Sequence, residues 1–195
     1  MKRDTRKEIM FGGFGGQGII TAGYITGQAA AVYDDRDSTL TQVYGPEARG
    51  SACHSGVVID DEEIDYPFPL EPQIMVIMGQ DAYETFLPRL KDGGILIIDS
   101  ALVKPDEKAG KYKLYAVPAT EIAEKAGAKI VANIVMLGFL AKVWDAVSVE
   151  GMRESVKTRV PRKYLDLNLQ VFEEGVKLGE KALDKPSPVA SHREL

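Results

Sequence analysis

The sequence has few of the residues that metal centres and disulfide bonds require. Its 195 residues include one cysteine and two histidines. One cysteine cannot form an internal disulfide, and iron–sulfur clusters and structural zinc sites use several thiolates. We therefore expect none of these in the chain alone, and the cysteine usage favours a reducing cytoplasm.

Long apolar runs and an excess of positive charge are also missing. The apolar stretch that begins at Ile134 meets Lys142 well before the roughly 20 residues that span a bilayer. The charged residues 2–8 leave no apolar region of the kind that a signal peptide needs. The formal net charge is −5, with lysine and arginine scattered. We expect neither a membrane span nor nucleic acid as a partner.

What the chain does contain is an alternation of apolar runs and helical patterns, with 45% hydrophobic residues. Strands are predicted at residues 9–11, 39–44, 52–59, 74–78, 95–98 and 113–117. Helices are predicted at residues 19–32, 81–90, 121–126, 133–144, 149–158 and 162–183. This order predicts an α/β fold with an open doubly wound, mostly parallel sheet and helices on both faces.

Two features interrupt this regular pattern. The acidic turn at 60–63 separates a strand from Ile64–Tyr66, which we interpret as a short return strand and hence a small antiparallel excursion near residues 52–66. After the last helix the chain becomes polar and contains two prolines. We predict a single domain over residues 1–183 and a flexible tail over residues 184–195.

A glycine-rich segment, Gly12–Gly18, lies between the first predicted strand and the first helix. Its Gly13, Gly15 and Gly18 match the pattern G-x-G-x-x-G, in which backbone N–H groups and a helix N-terminus can hold a phosphate. Dinucleotide binding also needs an acidic residue at the end of the second strand, but the acidic residues of 34–37 come before that strand. No Lys-Ser/Thr pair follows, as a P-loop would require. The segment is most simply a structural tight turn, a site for another phosphate-bearing group is the next interpretation, and a dinucleotide site is the least favoured of the three.

A second polar turn, Tyr44–Gly50, follows the second predicted strand. In open α/β sheets, ligands bind at the ends of strands. Its Glu47 and Arg49 can also form a surface ion pair, which contributes about 0–1 kcal/mol.

Elsewhere the candidate residues have structural interpretations. We interpret Asn133 as the N-cap of the apolar helix and Ser148 as the cap of the next helix. Cys53 and His54 are neighbours in a strand, so their side chains point to opposite faces and cannot form a simple pair. We find no paired catalytic acids, no metal-ligand cluster and no nucleophile with a base.

Four separated motifs carry a family resemblance. They are GGFGGQGI at 12–19, YGPEARG at 44–50, VPATEIA at 117–123 and ANIVMLG at 132–138. In this order and spacing, over about residues 7–183, the chain resembles the γ subunit of 2-oxoacid:ferredoxin oxidoreductases. Phe14 and the segment 117–120 look most like the 2-oxoglutarate type, because pyruvate-type γ subunits more often carry a basic residue where Phe14 stands.

The resemblance implies a subunit that is not catalytic alone, in a multisubunit enzyme that oxidatively decarboxylates 2-oxoglutarate to succinyl-CoA. Its implied partners are α, β and ferredoxin-like δ subunits, with ferredoxin or another acceptor for the complex. Thiamine diphosphate, magnesium and iron–sulfur clusters are expected in those partners and none in this chain alone, and coenzyme A is the co-substrate. A pyruvate or branched-chain enzyme is the alternative, and a free-standing nucleotide- or coenzyme A-binding module is an alternative of another class.

The same resemblance suggests which residues face coenzyme A, a phosphate or another subunit. No catalytic or metal-binding residue is expected in this chain. The candidates are Gly13, Gly15, Gly16, Gln17, Gly18, Tyr44, Gly45, Glu47, Arg49 and Asn133.

Overall fold

The computed structural model describes residues 5–43 and 52–184, which are built around one six-stranded sheet. The strands are β1 (Lys7–Phe14), β2 (Asp37–Val43), β3 (Ala52–Asp60), β4 (Ile74–Ile77), β5 (Ile95–Asp99) and β6 (Lys113–Val117). Across the sheet their order is β2-β3-β1-β4-β5-β6. Strands β1, β4, β5 and β6 pair in parallel, whereas β3 is antiparallel to both β1 and β2. The predicted open, mostly parallel sheet is confirmed.

Helices cover both faces of this sheet. They are α1 (Ile19–Gln28), α2 (Gln80–Phe86), α3 (Ala119–Lys125), α4 (Ala132–Val143), α5 (Val149–Arg159) and α6 (Leu165–Asp184). Residues of α1, α3, α4, α5 and α6 form the core on one face, and α2 packs on the other face with the connections near residues 87–90 and 102–112. None of the helices within 5–43 and 52–184 is long and apolar enough to cross a bilayer.

The central strands form where the sequence is continuously apolar. All four residues of β4 are buried, as are all but the first of β5, because these strands have core on both faces. Helix α4 is apolar nearly all round for the same reason, since it lies between the sheet and α6.

Helices α4 and α6 approach each other at glycines. A Cβ atom built on Gly138 would lie 2.1 Å from the carbonyl oxygen of Phe172, and one built on Gly175 would lie 2.1 Å from that of Val135. Only glycine fits at these two positions, because the neighbouring atoms belong to backbone rather than to movable side chains.

The antiparallel part of the sheet differs from its prediction. Residues 64–66 form no strand, so the predicted return strand is wrong. Strand β3 pairs instead with β2 on one side and with β1 on the other, and both its ladders are therefore occupied.

Further boundaries also differ from their predictions. Strand β1 continues to Phe14, because it pairs with β3 along its whole length, so Gly12 and Gly13 belong to the strand and not to the turn. Asp184, predicted as the first residue of the tail, is the last residue of α6. The rest of the predicted tail, 185–195, and the segment 44–51 lie outside the described residues.

Candidate functional site

The glycine loop, Phe14–Gly18, connects the carboxyl end of β1 to α1. The N–H of Gln17 donates to the carbonyl oxygen of Phe14 at 3.2 Å and closes a tight turn. Gly16 has a φ of +93° at the third position of that turn, as a type II turn requires. Gly18, with a φ of +75°, immediately precedes the helix. The predicted glycine turn is therefore confirmed over its last four residues.

The side chain of Gln17 holds the loop against the neighbouring strand. Its Oε1 accepts from the N–H of Phe14 at 2.6 Å, and its Nε2 donates to the carbonyl oxygen of Met78 at 2.6 Å. Met78 directly follows β4, the strand parallel to β1, and the two strands connect onward in opposite directions across the sheet. Ligands of open α/β sheets bind at such a switch point. Here the carboxamide of Gln17 spans it.

Asn133 also braces the loop, and its predicted role as an N-cap is wrong. It is the second residue of α4, the capping position is Val131, and no side chain caps that helix. Instead Asn133 Nδ2 donates to the carbonyl oxygen of Gly18 at 3.2 Å. A Cβ atom on Gly18 would lie 2.3 Å from that nitrogen. A side chain at position 18 would therefore collide with Asn133, so the hydrogen bond requires glycine there.

A cavity of about 790 Å³ opens beside the glycine loop. The loop, the first turn of α1 and the start of α4 form one wall, and the connection from α5 to α6 forms the other. The lining is mainly apolar and includes Cys53, Val160, Pro161 and Leu167. Sequence reasoning missed the second wall, because its residues have no motif and reach the cavity only through tertiary packing.

The helix end that faces this cavity can attract an anion. Ile19, Ile20 and Thr21 line the cavity and are the first residues of α1, whose first N–H groups have no acceptor within the helix. The first turn holds no acidic residue and no side-chain cap. A Cβ on Gly15 or Gly16 would meet nothing within 4 Å, so open space lies in front of the loop. Unpaired N–H groups and the helix dipole favour negative charge there.

Arg159 brings a cation to the same cavity. It lines the wall at the end of α5, and its guanidinium carbon lies 4.3 Å from the ring centroid of Tyr24. At the rim Ile130 and Tyr164 are 69% and 48% exposed, so the mouth of the cavity is apolar.

A smaller cavity of about 330 Å³ lies where the glycine loop meets α3, and Gln17, Thr120 and Lys129 line it. The nearby carboxylate of Asp99 is fully buried at the end of β5. Its Oδ2 accepts from Thr120 N at 3.0 Å and from Thr120 Oγ1 at 2.6 Å, and its Oδ1 accepts from Ala101 N at 3.1 Å. These bonds give the motif at 117–123 a structural role, because they fix the start of α3.

The remaining polar candidates face away from one another. Cys53 is buried at the cavity wall, and burial raises the pKa of its thiol. His54 lies on the other face with its ring 4.8 Å from that of Phe86, and burial, together with the charge of Arg89, lowers the pKa of His54. The predicted separation of Cys53 and His54 is confirmed.

The acidic loop before β2 contacts the start of α5. The carboxylate of Asp34 accepts from Ser148 N at 2.7 Å, and Ser148 Oγ accepts from Gly151 N at 2.8 Å. The predicted cap of α5 by Ser148 is confirmed, and Asp34 reinforces it. Over the described ranges, no three His, Cys, Asp or Glu side chains come close enough to hold a metal ion.

The structure brings together Gly13, Gly15, Gly16, Gln17, Gly18 and Asn133 of the predicted site residues. A Cβ on Gly13 would lie 2.5 Å from Gln17 Oε1, so this glycine makes room for the brace. The other predicted site residues, Tyr44, Gly45, Glu47 and Arg49, lie outside the described residues.

Known proteins have this fold and are similar to this chain in sequence. The family model of pyruvate ferredoxin/flavodoxin oxidoreductase matches residues 8–178. The 2-oxoglutarate synthase subunit KorC of Methanocaldococcus jannaschii is 44% identical over 178 residues, which cover 90% of this chain and 95% of KorC. The γ subunit of a keto/oxoacid ferredoxin oxidoreductase from Geobacter sulfurreducens superposes with a TM-score of 0.79 at 36% identity, over 92% of this chain and 97% of the other.

A longer polypeptide has the same fold in part of its length. The 2-oxoglutarate:ferredoxin oxidoreductase of Magnetococcus marinus, solved with 2-oxoglutarate, coenzyme A and succinyl-CoA bound, gives a TM-score of 0.84 at 24% identity. The match covers 95% of this chain and 33% of that polypeptide. The chain belongs to the pyruvate ferredoxin/flavodoxin oxidoreductase family, and its predicted resemblance to the γ subunits of these enzymes is confirmed.

Proposed function

We propose that the protein is the γ subunit of a 2-oxoglutarate:ferredoxin oxidoreductase. The assembled enzyme converts 2-oxoglutarate and coenzyme A to succinyl-CoA and carbon dioxide, and two electrons pass to ferredoxin or another acceptor. The observation that carries the proposal is the 44% identity to KorC over nearly the full length of both chains. Phe14 at the glycine loop favours 2-oxoglutarate over pyruvate, because pyruvate-type γ subunits more often carry a basic residue there.

The redox chemistry belongs to partner subunits in this proposal. Iron–sulfur clusters need several thiolates, and this chain has one cysteine, which is buried. We therefore assign the clusters, thiamine diphosphate and magnesium to α, β and ferredoxin-like δ subunits in the cytoplasm. The Magnetococcus polypeptide supports close association, because a domain with this fold is there continuous with other parts of one chain.

The contribution of this chain is to hold coenzyme A. The N–H groups at the start of α1 and the open face of Gly15 and Gly16 bind a phosphate group, and Arg159 lies at the same cavity. The apolar lining of the 790 Å³ cavity suits the aliphatic part of such a ligand. Gln17 and Asn133 keep the loop in this conformation from opposite sides, so little ordering remains to be done when the ligand binds.

The test is reconstitution with the partner subunits. Co-expression should give a stable complex that reduces ferredoxin only when both 2-oxoglutarate and coenzyme A are present. Pyruvate and a branched-chain 2-oxoacid, supplied in parallel, should give much lower kcat/KM. A stable monomer that does not bind α and β, or equal activity with pyruvate, would contradict the proposal.

Arg49 tests the part of the site that lies outside the described residues. Arg49→Ala should lower acyl-coenzyme A formation or weaken assembly and leave the melting temperature of the chain unchanged. Unchanged activity in the assembled enzyme would remove Arg49 from the site.

A free-standing coenzyme A-binding module is the second candidate, and the preformed cavity favours it. Calorimetry of the isolated chain with coenzyme A, NAD and FAD separates the two functions. The subunit function expects weak or no binding without partner walls, whereas a module binds one of these ligands tightly by itself.

A further inference from the structure

The segment Tyr66–Leu70, in the connection between β3 and β4, has an alternating sequence of apolar residues and prolines. Pro69 is buried, and a Cβ on Gly56 of β3 would lie 2.5 Å from its Cγ, so this proline packs on the sheet. Tyr66, Phe68 and Leu70 point the other way and are 49%, 48% and 64% exposed. We call these three exposed side chains the apolar ridge.

The backbone under the apolar ridge is fixed by a buried carboxylate. Glu8 of β1 is 4% exposed, and its Oε2 accepts from the N–H groups of Leu70 at 2.7 Å and Glu71 at 2.8 Å. Its Oε1 accepts from Arg6 Nε at 2.7 Å. The same guanidinium donates to the carbonyl oxygens of Tyr66 at 3.1 Å and Phe68 at 3.2 Å. Because prolines also restrict φ, the ridge is held in one shape before anything binds to it.

The three exposed side chains lie outside the hydrophobic core of the described chain. The two rings contact each other, with centroids 5.6 Å apart, and each side chain remains about half exposed. Connections on protein surfaces are ordinarily polar, and clustered exposed aromatic and aliphatic side chains mark interaction sites. Buried aromatic anchors supply much of the affinity of protein interfaces.

The segment that carries the apolar ridge is acidic in sequence, and the arginines that contact its backbone, Arg6 and Arg89, donate to carbonyl oxygens there. Residues 60–71 contain six acidic residues and no lysine or arginine. One of them, Asp61, pairs with Arg36 at 2.6 Å, whereas Glu63, Asp65 and Glu71 are exposed. A surface that docks here must therefore carry positive charge around an apolar recess, because like charges would be brought together otherwise.

We propose that the apolar ridge is the docking site of a partner subunit of the same enzyme, which covers it with an apolar recess bordered by lysine or arginine. The inference rests on the proposed function, because it takes its occupant from the complex. A second copy of this chain is a poor occupant, since a ridge that meets its own copy would bring two acidic borders together.

The experiment measures assembly of the full-length chain with its co-expressed partner subunits. Leu70→Ser and Phe68→Ser should each weaken the complex at least tenfold in native mass spectrometry and analytical ultracentrifugation. Val32→Ser is the matched control, because Val32 is 63% exposed and lies away from the ridge. The melting temperature of each isolated variant should equal that of the wild type, which separates docking from folding.

Charge gives a second, independent readout. Asp65→Lys should weaken the complex at low ionic strength. The difference from wild type should shrink in 0.5 M salt, where the Debye length is about 4 Å compared with about 30 Å in 0.01 M buffer. Glu107→Lys, which changes the net charge equally on an exposed residue elsewhere, should have no effect.

The outcomes separate the two proposals. If wild type forms no complex with α and β, the proposed function fails. If wild type assembles and the ridge variants assemble as well as wild type or as Val32→Ser, only the docking site is refuted. A homodimer of the isolated chain that the ridge variants abolish would also refute it, since the occupant would then be a second copy.

Discussion

Replacing Gly138 by alanine tests how closely α4 and α6 approach. The new Cβ would lie 2.1 Å from Phe172 O, 3.0 Å from Phe172 C and 3.1 Å from Val176 N. Non-bonded heavy atoms are in contact near 3.5 Å, so the two helices must separate by about 1.4 Å. Both neighbours are backbone of a buried helix turn, and no rotamer change can relieve the contact.

The expected cost combines two opposed effects. Overpacking a core costs about 1–3 kcal/mol, and a contact that only backbone movement can relieve belongs near 3 kcal/mol. Alanine is the better helix former by about 1 kcal/mol. The free energy of unfolding should therefore fall by about 2 kcal/mol, which lowers the melting temperature by about 4–8 °C for a chain of this size.

Urea and thermal unfolding of the isolated chain, followed by circular dichroism, measure the effect. Gly110→Ala is the control, because a Cβ there meets nothing within 4 Å and its φ is not positive. Gly175→Ala should match Gly138→Ala, and the double variant should cost less than the sum, since the first substitution already separates the helices. A Gly138→Ala variant within about 0.5 kcal/mol of wild type would refute the close helix contact.

Three further predictions concern the glycine loop, one histidine and the buried carboxylate. Gly15→Ala places its Cβ in open space, so it should leave the melting temperature unchanged and raise the KM for coenzyme A in the complex. Gly13→Ala should instead destabilise the fold, because its Cβ would lie 2.7 Å from Ile19 Cδ1. The pKa of His54 is lowered by burial and by a nearby arginine, so the unfolded chain binds more protons. The free energy of unfolding is therefore highest above the unfolded pKa of about 6.5 and falls as the pH drops through that value. His54→Gln should remove this fall between pH 7.5 and 5.5. An unchanged dependence of the unfolding free energy on pH would contradict the prediction. Glu8→Ala should cost about 3 kcal/mol in urea unfolding, because two part-buried backbone N–H groups and a guanidinium lose their acceptor. A cost near zero would mean that the segment at 66–71 is not anchored there.

Much of the fold could be predicted because local sequence and global structure agree. The apolar runs at β4 and β5 admit only buried strands, and the apolar helix α4 admits only a buried position. The cap at Ser148 was predictable because a serine before a helix satisfies N–H groups of its own first turn.

The predictions failed where a distant partner decided the conformation. Asn133 looks like a cap from its neighbours, but its amide bonds to Gly18, which is 115 residues away in sequence. Ile64–Tyr66 has the composition of a strand, yet no free ladder remains for it next to β3. The glycine loop was predictable from its spacing, whereas the wall of the cavity opposite to it depends on where α5 and α6 pack.

The antiparallel strand β3 changes what a ligand at the glycine loop can reach. Because β3 lies between β1 and β2, the strand that follows α1 is two strand spacings from β1, roughly 10 Å, rather than one. In dinucleotide-binding sheets the acidic residue that holds the ribose stands on the strand adjacent to β1. A molecule whose phosphate lies at α1 here finds no such strand within the same reach. If a phosphate binds at α1 as proposed, the open space for the rest of that molecule is the groove between α1 and the α5–α6 connection, which runs alongside the helices and not across the sheet.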